Sequence, residues 1–268
     1  MTNSEPFKES LQPTKMPVML AMLDVLGFSS RLESSGLDSV FSLYQALIDR
    51  VIIKEPMHCV GSHPVGDGSR CPALFSADIR YTYFSDTIML WMPLYPLFAG
   101  PFIQRCSDMI CEALLLGVGL RGSIALGDAV MHKPSGMFIG SPIVEAYRLE
   151  RAQDWIGVAF APSGTWNSFI AELNPTQLIE YDIPMKPGSE HLRSPLVLDW
   201  PRRWRDTQSA QVHDILKAMN TSPSYIKYYE NTIAFTKYSE RWHDWHMKTT
   251  TDDNLPFKYL HMTQRKGG

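Results

Sequence analysis

Residues 16–28 read MPVMLAMLDVLGF, an apolar run that ends in Asp24 and turns at Gly27. A continuous apolar run of this length predicts a buried central β-strand, because both faces of such a strand are covered. The strand delivers one carboxylate to its exposed end, next to a glycine whose missing side chain lets a ligand approach the backbone. Asp24 could instead cap the turn or the following helix, which is the common role of aspartate at strand ends.

The composition predicts one full-sized globular domain with a tail. The 268 residues are 44% hydrophobic and 20% charged, which is enough apolar material for one core. A net charge of -3 excludes a nucleic-acid-binding protein whose affinity comes mainly from counterion release, since that mechanism needs a basic surface.

Two further features of the sequence bear on membrane association and on the cellular compartment. Prolines interrupt the longest apolar stretch, residues 87–103, so we expect no transmembrane helix and no membrane partner. The cysteines show no zinc-type spacing, and we expect them to be reduced core residues of a cytoplasmic protein. They are Cys59, Cys71, Cys106 and Cys111. Residues 1–15 are largely polar and contain prolines, which predicts a flexible lead.

Hydrophobic periodicity divides the rest of the chain into strands and helices. We predict strands over residues 16–24, 79–92, 120–130, 156–160, 176–183 and 194–200, and helices over residues 37–51, 101–116, 141–151 and within residues 201–268. Residues 54–75 contain six glycines and prolines and few periodic apolar positions, which predicts a long loop.

The second informative stretch is residues 79–92, IRYTYFSDTIMLWM. Aromatic and β-branched residues on both sides of a Ser85-Asp86 break predict a β-hairpin with Asp86 at its tip, although aspartate is also an ordinary turn residue. If the hairpin lies beside the first strand, Asp86 and Asp24 meet at one edge of the sheet. Two carboxylates there can hold a pair of divalent cations, which bridge the phosphates of a nucleoside triphosphate and activate an attacking hydroxyl.

Four motifs occur in order: LDVLGF at 23–28, YFSDT at 83–87, LRGSIALGDAV at 120–130 and IGSPIVEAYRLER at 139–151. Together they resemble the catalytic domain of the class III nucleotidyl cyclases, and most closely the bacterial pyrimidine cyclases of Pycsar anti-phage defence. The resemblance covers residues 16–200 and implies an α+β fold with a ferredoxin-like βαββαβ core. Its sheet is mainly antiparallel and flanked by helices, and residues 201–268 would form a helical extension packed on the core or across a dimer.

The resemblance implies the metal and phosphate ligands residue by residue. Asp24 and Asp86 match the two aspartates that bind two divalent cations, Mg²⁺ or Mn²⁺. The backbone from Val25 through Gly27 to Phe28 would lie against the metals and phosphates.

Arg148 matches the arginine that stabilises the transferring phosphate in this family. In class III enzymes this arginine comes from the other subunit of a head-to-tail dimer, so the resemblance implies a homodimer with two composite active sites. Arginine suits the role, because its permanently charged fork can hold two phosphate oxygens. Arg148 could instead form a weak surface pair with Glu145, one helical turn away.

Departures from the adenylyl cyclase pattern bear on the substrate. Thr82 stands where those enzymes have the adenine-reading lysine, and Met137 stands where they have its partnering aspartate. Both changes argue against adenine and favour a pyrimidine. Other candidate base contacts are polar or aromatic residues near the expected site, although a strand tyrosine ordinarily packs in a core. They are Tyr44, Arg80, Tyr81 and Tyr83.

The activity implied is conversion of UTP, with CTP as second choice, to the 3′,5′-cyclic monophosphate and pyrophosphate. The cyclic product would signal to a separate effector protein during anti-phage defence. The alternative is a catalytically inactive, nucleotide-binding regulatory module that kept the fold. Val144 favours the alternative, since many class III enzymes have an asparagine there that orients ribose and phosphate. The two aspartates and Arg148 favour an enzyme.

Overall fold

The computed structural model describes residues 13–53, 57–64, 70–165, 177–219 and 223–249. These residues form an α+β fold with a mixed, mostly antiparallel eight-stranded sheet flanked by helices. The predicted fold class is confirmed at this level. Most of the predicted lead lies outside the described residues, but Lys15 already belongs to the first strand.

Ten strands form the two sheets. They are β1 Lys15–Val25, β2 Met57–Pro64, β3 Arg70–Ala77, β4 Arg80–Phe84, β5 Thr87–Pro93, β6 Leu120–His132, β7 Met137–Gly140, β8 Gly157–Phe160, β9 Leu178–Glu180 and β10 Leu196–Leu198. The main sheet has the order β4-β5-β1-β6-β8-β10-β9, and β7 pairs with β6. All pairs are antiparallel except β6 with β8. Strands β2 and β3 form a separate antiparallel pair.

The described residues include seven α-helices. They are α1 Phe28–Ile48, α2 Pro96–Leu115, α3 Ser141–Ala152, α4 Pro162–Thr165, α5 Trp200–Thr207, α6 Val212–Met219 and α7 Ile226–Thr249. Helix α3 packs across β1 and β6, where the Ser123 hydroxyl donates a hydrogen bond to the Ala146 carbonyl. Within the described ranges, no helix has both the length and the apolar character needed to cross a membrane.

The first strand lies at the centre of the core, as its sequence predicts. Residues 18–23 are all buried, because β5 and β6 flank β1 and both faces of the sheet are covered. This explains why the run is continuously apolar rather than alternating. The strand ends where Asp24 and Gly27 bring the chain out of the core.

Three sequence predictions about local structure are wrong. The predicted loop at 54–75 contains β2 and most of β3, because both strands of a two-stranded ribbon are edge strands, where proline is tolerated. Helix α1 starts at Phe28 rather than at residue 37, and its polar first half is bent at Gly36, which has a positive φ of 78°. Helix α2 begins at Pro96, so Pro101 lies inside the helix rather than in its first turn.

The C-terminal helices share the core of the sheet. Trp200 and Trp204 of α5, Leu216 of α6 and Phe235 of α7 are fully buried. The Phe235 ring meets the ring of Trp155 edge to face, with centroids 4.7 Å apart. Truncating this tail would therefore expose large aromatic surfaces of the sheet domain.

Candidate metal and phosphate site

The fold places the Asp24 and Asp86 carboxylates side by side. Asp24 pairs across strands with Thr87, the first residue of β5, so the tip of the β4–β5 hairpin lies against the end of β1. The Val25 amide donates to the Asp86 carbonyl at 2.9 Å, which fixes the hairpin tip to the strand. The two carboxylates are close enough for Asp86 to raise the pKa of Asp24. Two neighbouring carboxylates at one edge of the sheet are a donor set that divalent cations can share.

A buried arginine, which sequence reasoning missed, completes the site. Arg121 is the cross-strand neighbour of Asp24 on β6, and its Nη2 lies 2.9 Å from Asp24 Oδ2 and 2.6 Å from Glu150 Oε1. Arg121 Nε also donates to Glu150 at 2.8 Å. Arg121 lies at the start of a strand that the sequence does predict. Its contact with Asp24 depends on the register of β6 against β1, which the sequence pattern does not give.

The electrostatics of this cluster favour an added cation. Burial raises the pKa of Asp24, Arg121 opposes this shift, and repulsion from Asp86 raises the pKa further. Burial also raises the pKa of Glu150 to about 7, against the attraction of Arg121. Lys186, half-buried nearby, has a pKa lowered first by burial and then by repulsion from Arg121. One guanidinium therefore serves two carboxylates, Asp24 and Glu150, while Asp86 repels Asp24, and a divalent ion between Asp24 and Asp86 would relieve that repulsion.

The donor set fits magnesium or manganese with water ligands. Among the described residues, no group of three or more His, Cys, Asp or Glu side chains is placed to hold a metal ion. Magnesium retains several waters and takes only one or two carboxylates from a protein. Asp24 and Asp86 meet this requirement. The Val25 side chain is buried, so this residue could contribute only its backbone.

The start of α1 offers backbone donors beside the two aspartates. The amides of Val25 and Leu26 are bonded to neighbouring carbonyls and are not available. Gly27 adopts a left-handed conformation, with φ 75° and ψ 18°, and α1 begins at Phe28 without a side-chain cap. The first amides of a helix have no intrahelical partner and attract anions. Of the predicted backbone contacts to phosphate, the amides of Gly27, Phe28 and the first turn of α1 therefore remain.

Arg148 lies on the outer side of α3. It is exposed and forms no ion pair with Glu145 or any other residue that the structure describes. Glu150, two residues later, points inward to Arg121. Two residues turn a helix by about 200°, so Arg148 points away from the Asp24 of its own chain.

The base-reading candidates on β4 divide between the two faces of the sheet. Residues that pair across neighbouring strands have their side chains on the same face of the sheet. Thr87 of β5 pairs with Phe84 on one side and with Asp24 on the other, so Phe84 and Asp24 lie on the same face. Because side chains alternate along a strand, Arg80 and Thr82 share the Asp24 face, and Tyr81 and Tyr83 lie on the other.

The three candidate tyrosines form one aromatic cluster beneath α1. Tyr44 meets Tyr83 edge to face with centroids 5.6 Å apart, and Tyr81 lies 5.9 Å from Tyr83. Phe28 joins the cluster with its centroid 6.2 Å from that of Tyr44. The Tyr44 hydroxyl donates to the Ser85 carbonyl at 3.1 Å and supports the hairpin that carries Asp86. These contacts favour a packing role for the tyrosines.

Met137 lies at the other end of the sheet from Asp24. It pairs with His132, the last residue of β6, whereas Asp24 pairs with Arg121 near the first. The intervening stretch of β6 spans about 36 Å at the usual strand rise. Met137 and Asp24 could therefore contribute to one site only across two chains.

The positive φ of Gly27 leads to a test with a matched control. Gly27→Ala should lower the free energy of unfolding by about 1 kcal/mol through backbone strain, because an added Cβ would lie 3.8 Å from the Tyr225 ring without a clash. Gly36→Ala, at φ 78° in open space, should have a similar effect. Only Gly27→Ala should also weaken triphosphate binding, as measured by titration calorimetry. Equal affinity in the two variants would place the phosphates elsewhere.

Comparison of the sequence with known proteins does not assign the chain to a family. The sequence matches no protein-family model, and no curated protein matches it. A functional assignment therefore rests on the residues themselves and on their geometry.

Proposed function

We propose that the protein is a pyrimidine nucleotide cyclase that converts UTP, with CTP as second choice, to the 3′,5′-cyclic monophosphate and pyrophosphate. The observation that carries this proposal is the meeting of the Asp24 and Asp86 carboxylates beside the uncapped start of α1. Carboxylates that bind divalent cations, next to amides that bind phosphates, are the two requirements for holding a metal–triphosphate complex.

The connectivity of the sheet supports the resemblance to class III cyclases. The chain runs β1-α1-β4-β5-α2-β6, and these four strands lie in the order β4-β5-β1-β6. This is the arrangement of a ferredoxin-like βαββαβ core, with the β2–β3 pair inserted after α1. The candidate site lies at the end of β1 and at the tip of the β4–β5 hairpin, where the family places its metal aspartates.

The reaction requires no protein nucleophile. The ribose 3′-oxygen forms a bond to the α-phosphorus, the bond to the β-phosphate oxygen breaks, and pyrophosphate leaves. Asp24 and Asp86 would hold two divalent cations, which when bound would lower the pKa of the 3′-hydroxyl, so that its proton passes to water, and would neutralise charge on the triphosphate. Arg121 fixes the Asp24 carboxylate by one oxygen. The first turn of α1 binds phosphate oxygens.

The position of Arg148 supports a composite site in a homodimer. Arg148 points away from its own Asp24, so it could reach a transferring phosphate only in the site of a second copy. Exposed apolar side chains lie on α3 beside it and on the preceding strand β7. They are Met137, Ile139, Val144 and Tyr147. An apolar surface around a functional arginine is suited to burial against a partner.

The biological setting follows from the resemblance alone. The product would be a second messenger in the cytoplasm, made during phage infection and detected by a separate effector protein. The chain needs neither a nucleic acid nor a membrane for this role.

The alternative is an inactive regulatory module that binds the nucleotide without converting it. Val144 favours this alternative, because it is 47% exposed on the same outer side of α3 as Arg148 and cannot orient a ribose or phosphate by hydrogen bonds. Incubating the protein with Mn²⁺ and each of the four common ribonucleoside triphosphates separates the two functions. A pyrimidine cyclase forms cyclic product from UTP or CTP and little from ATP or GTP, whereas a regulatory module binds one triphosphate and returns it unchanged.

A further inference from the structure

The start of the C-terminal helix α7 closes over the candidate site. Tyr225, immediately before α7, has its ring 3.8 Å from the position of a Cβ on Gly27. Lys227 forms an ion pair with Asp154, and the Asn231 amide donates to the Asp154 carbonyl at 2.7 Å. The first two turns of α7 are therefore fixed to the end of the sheet that carries Asp24.

A chain of polar contacts leads from α7 to Asp24. The Tyr228 hydroxyl accepts a hydrogen bond from Arg121 Nη1 at 3.4 Å. The Arg121 guanidinium also lies over the Tyr228 ring, 5.8 Å from its centroid. Arg121 in turn holds the carboxylates of Asp24 and Glu150.

Arg121 has little freedom once these contacts are made. Its Nε donates to Glu150, its Nη1 to the Gln153 carbonyl and Tyr228, and its Nη2 to Asp24. Glu150 contacts both Nε and Nη2, and Tyr228 of α7 provides the one of these contacts that comes from outside the sheet and the α3 region. Without the Tyr228 hydroxyl, Nη1 keeps only the Gln153 carbonyl, and a small rotation of the guanidinium would shift the Asp24 carboxylate that is bonded to Nη2.

We propose that Tyr228 is a positioning residue for metal binding, which acts through Arg121 to orient the Asp24 carboxylate toward Asp86. The C-terminal helix would then be part of the catalytic site and not only a cover for the core. The inference rests on the proposed function, since it assumes that Asp24 and Asp86 bind the cations.

The test compares two hydroxyls of α7. Tyr228→Phe removes a part-buried hydroxyl that accepts from Arg121, and Ser239→Ala removes a buried hydroxyl that donates to Asp199, about three turns further along the helix. Both changes should lower the melting temperature by similar amounts. Mn²⁺ binding is measured by the electron paramagnetic resonance signal of the free ion, with 3′-deoxy-UTP present as a substrate analogue that cannot cyclise. A titration of the analogue without protein provides the baseline, because the triphosphate itself binds Mn²⁺.

Tyr228→Phe should raise the Kd for Mn²⁺ by about three- to tenfold, since a hydrogen bond to a charged group is lost from the ligand's support. Ser239→Ala should leave this Kd within about twofold of the wild-type value. Equal Kd values in the two variants, with normal binding by the wild type, would overturn the role of Tyr228 and leave the proposed function intact. Absence of Mn²⁺ binding by the wild-type protein would overturn both.

Discussion

Asp86→Asn is expected to reduce formation of cyclic nucleotide on the order of a hundredfold to a thousandfold. The neutral amide keeps the shape of the side chain but gives a divalent ion only one weak oxygen ligand. Asp86 lies at a hairpin tip whose backbone bond to Val25 does not involve its side chain. The variant should therefore keep the fold and the oligomeric state of the wild type, which circular dichroism and light scattering would show.

Asp182→Asn is the matched control for this change. Asp182 is an exposed aspartate that forms a surface ion pair with Arg193. Such pairs contribute little to stability, so this variant should keep wild-type turnover and nearly wild-type stability. If Asp86→Asn retained activity within a few-fold of the wild type, Asp86 would not be a metal ligand.

Arg148→Ala should lower kcat by about a hundredfold to a thousandfold, because a charge opposite the transferring phosphate is lost. The loss of stability should be small, since Arg148 is exposed and forms no ion pair with the described residues. The more informative result comes from a mixing experiment. Arg148→Ala and Asp86→Asn are dissociated, mixed in equal amounts and allowed to reassociate. Half of the dimers in an equal mixture are mixed, and each would contain one intact composite site.

The mixture should recover about a quarter of the wild-type activity, although each variant alone is nearly inactive. This recovery requires that Asp86 of one chain and Arg148 of the other serve the same site. A mixture that stays inactive while exchange of subunits is demonstrated would mean that the two residues act within one chain.

The sequence predicts the elements near the candidate site well, because each depends on a local pattern. The apolar run before Asp24 predicts β1, and the aromatic segments around Ser85 and Asp86 predict the β4–β5 hairpin. The sequence predicts the juxtaposition of the two aspartates only if the hairpin lies beside β1, and the pairing of β5 with β1 meets this condition. The features that the sequence does not predict depend on contacts between distant parts of the chain.

Arg121 and the start of α7 are the two main examples. Arg121 meets Asp24 only through the register of β6 against β1, and periodicity within one strand contains no information about register. Helix α7 reaches the site by packing against residues about seventy positions earlier, as in the bond from the Ile156 amide to Thr232. The β2–β3 pair was missed for a different reason, since its glycines and prolines are typical of loops but are tolerated in a two-stranded ribbon.

The mass of the product formed from UTP tests the central claim most directly. In the presence of Mn²⁺, the purified protein should convert UTP to 3′,5′-cyclic UMP and release one pyrophosphate for each cyclic nucleotide. It should form no cyclic product from 3′-deoxy-UTP, which lacks the attacking hydroxyl but retains the triphosphate and the base. Recovery of unchanged UTP and CTP, or of UDP and UMP without cyclic nucleotide, would contradict the assignment of this site to a nucleotide cyclase.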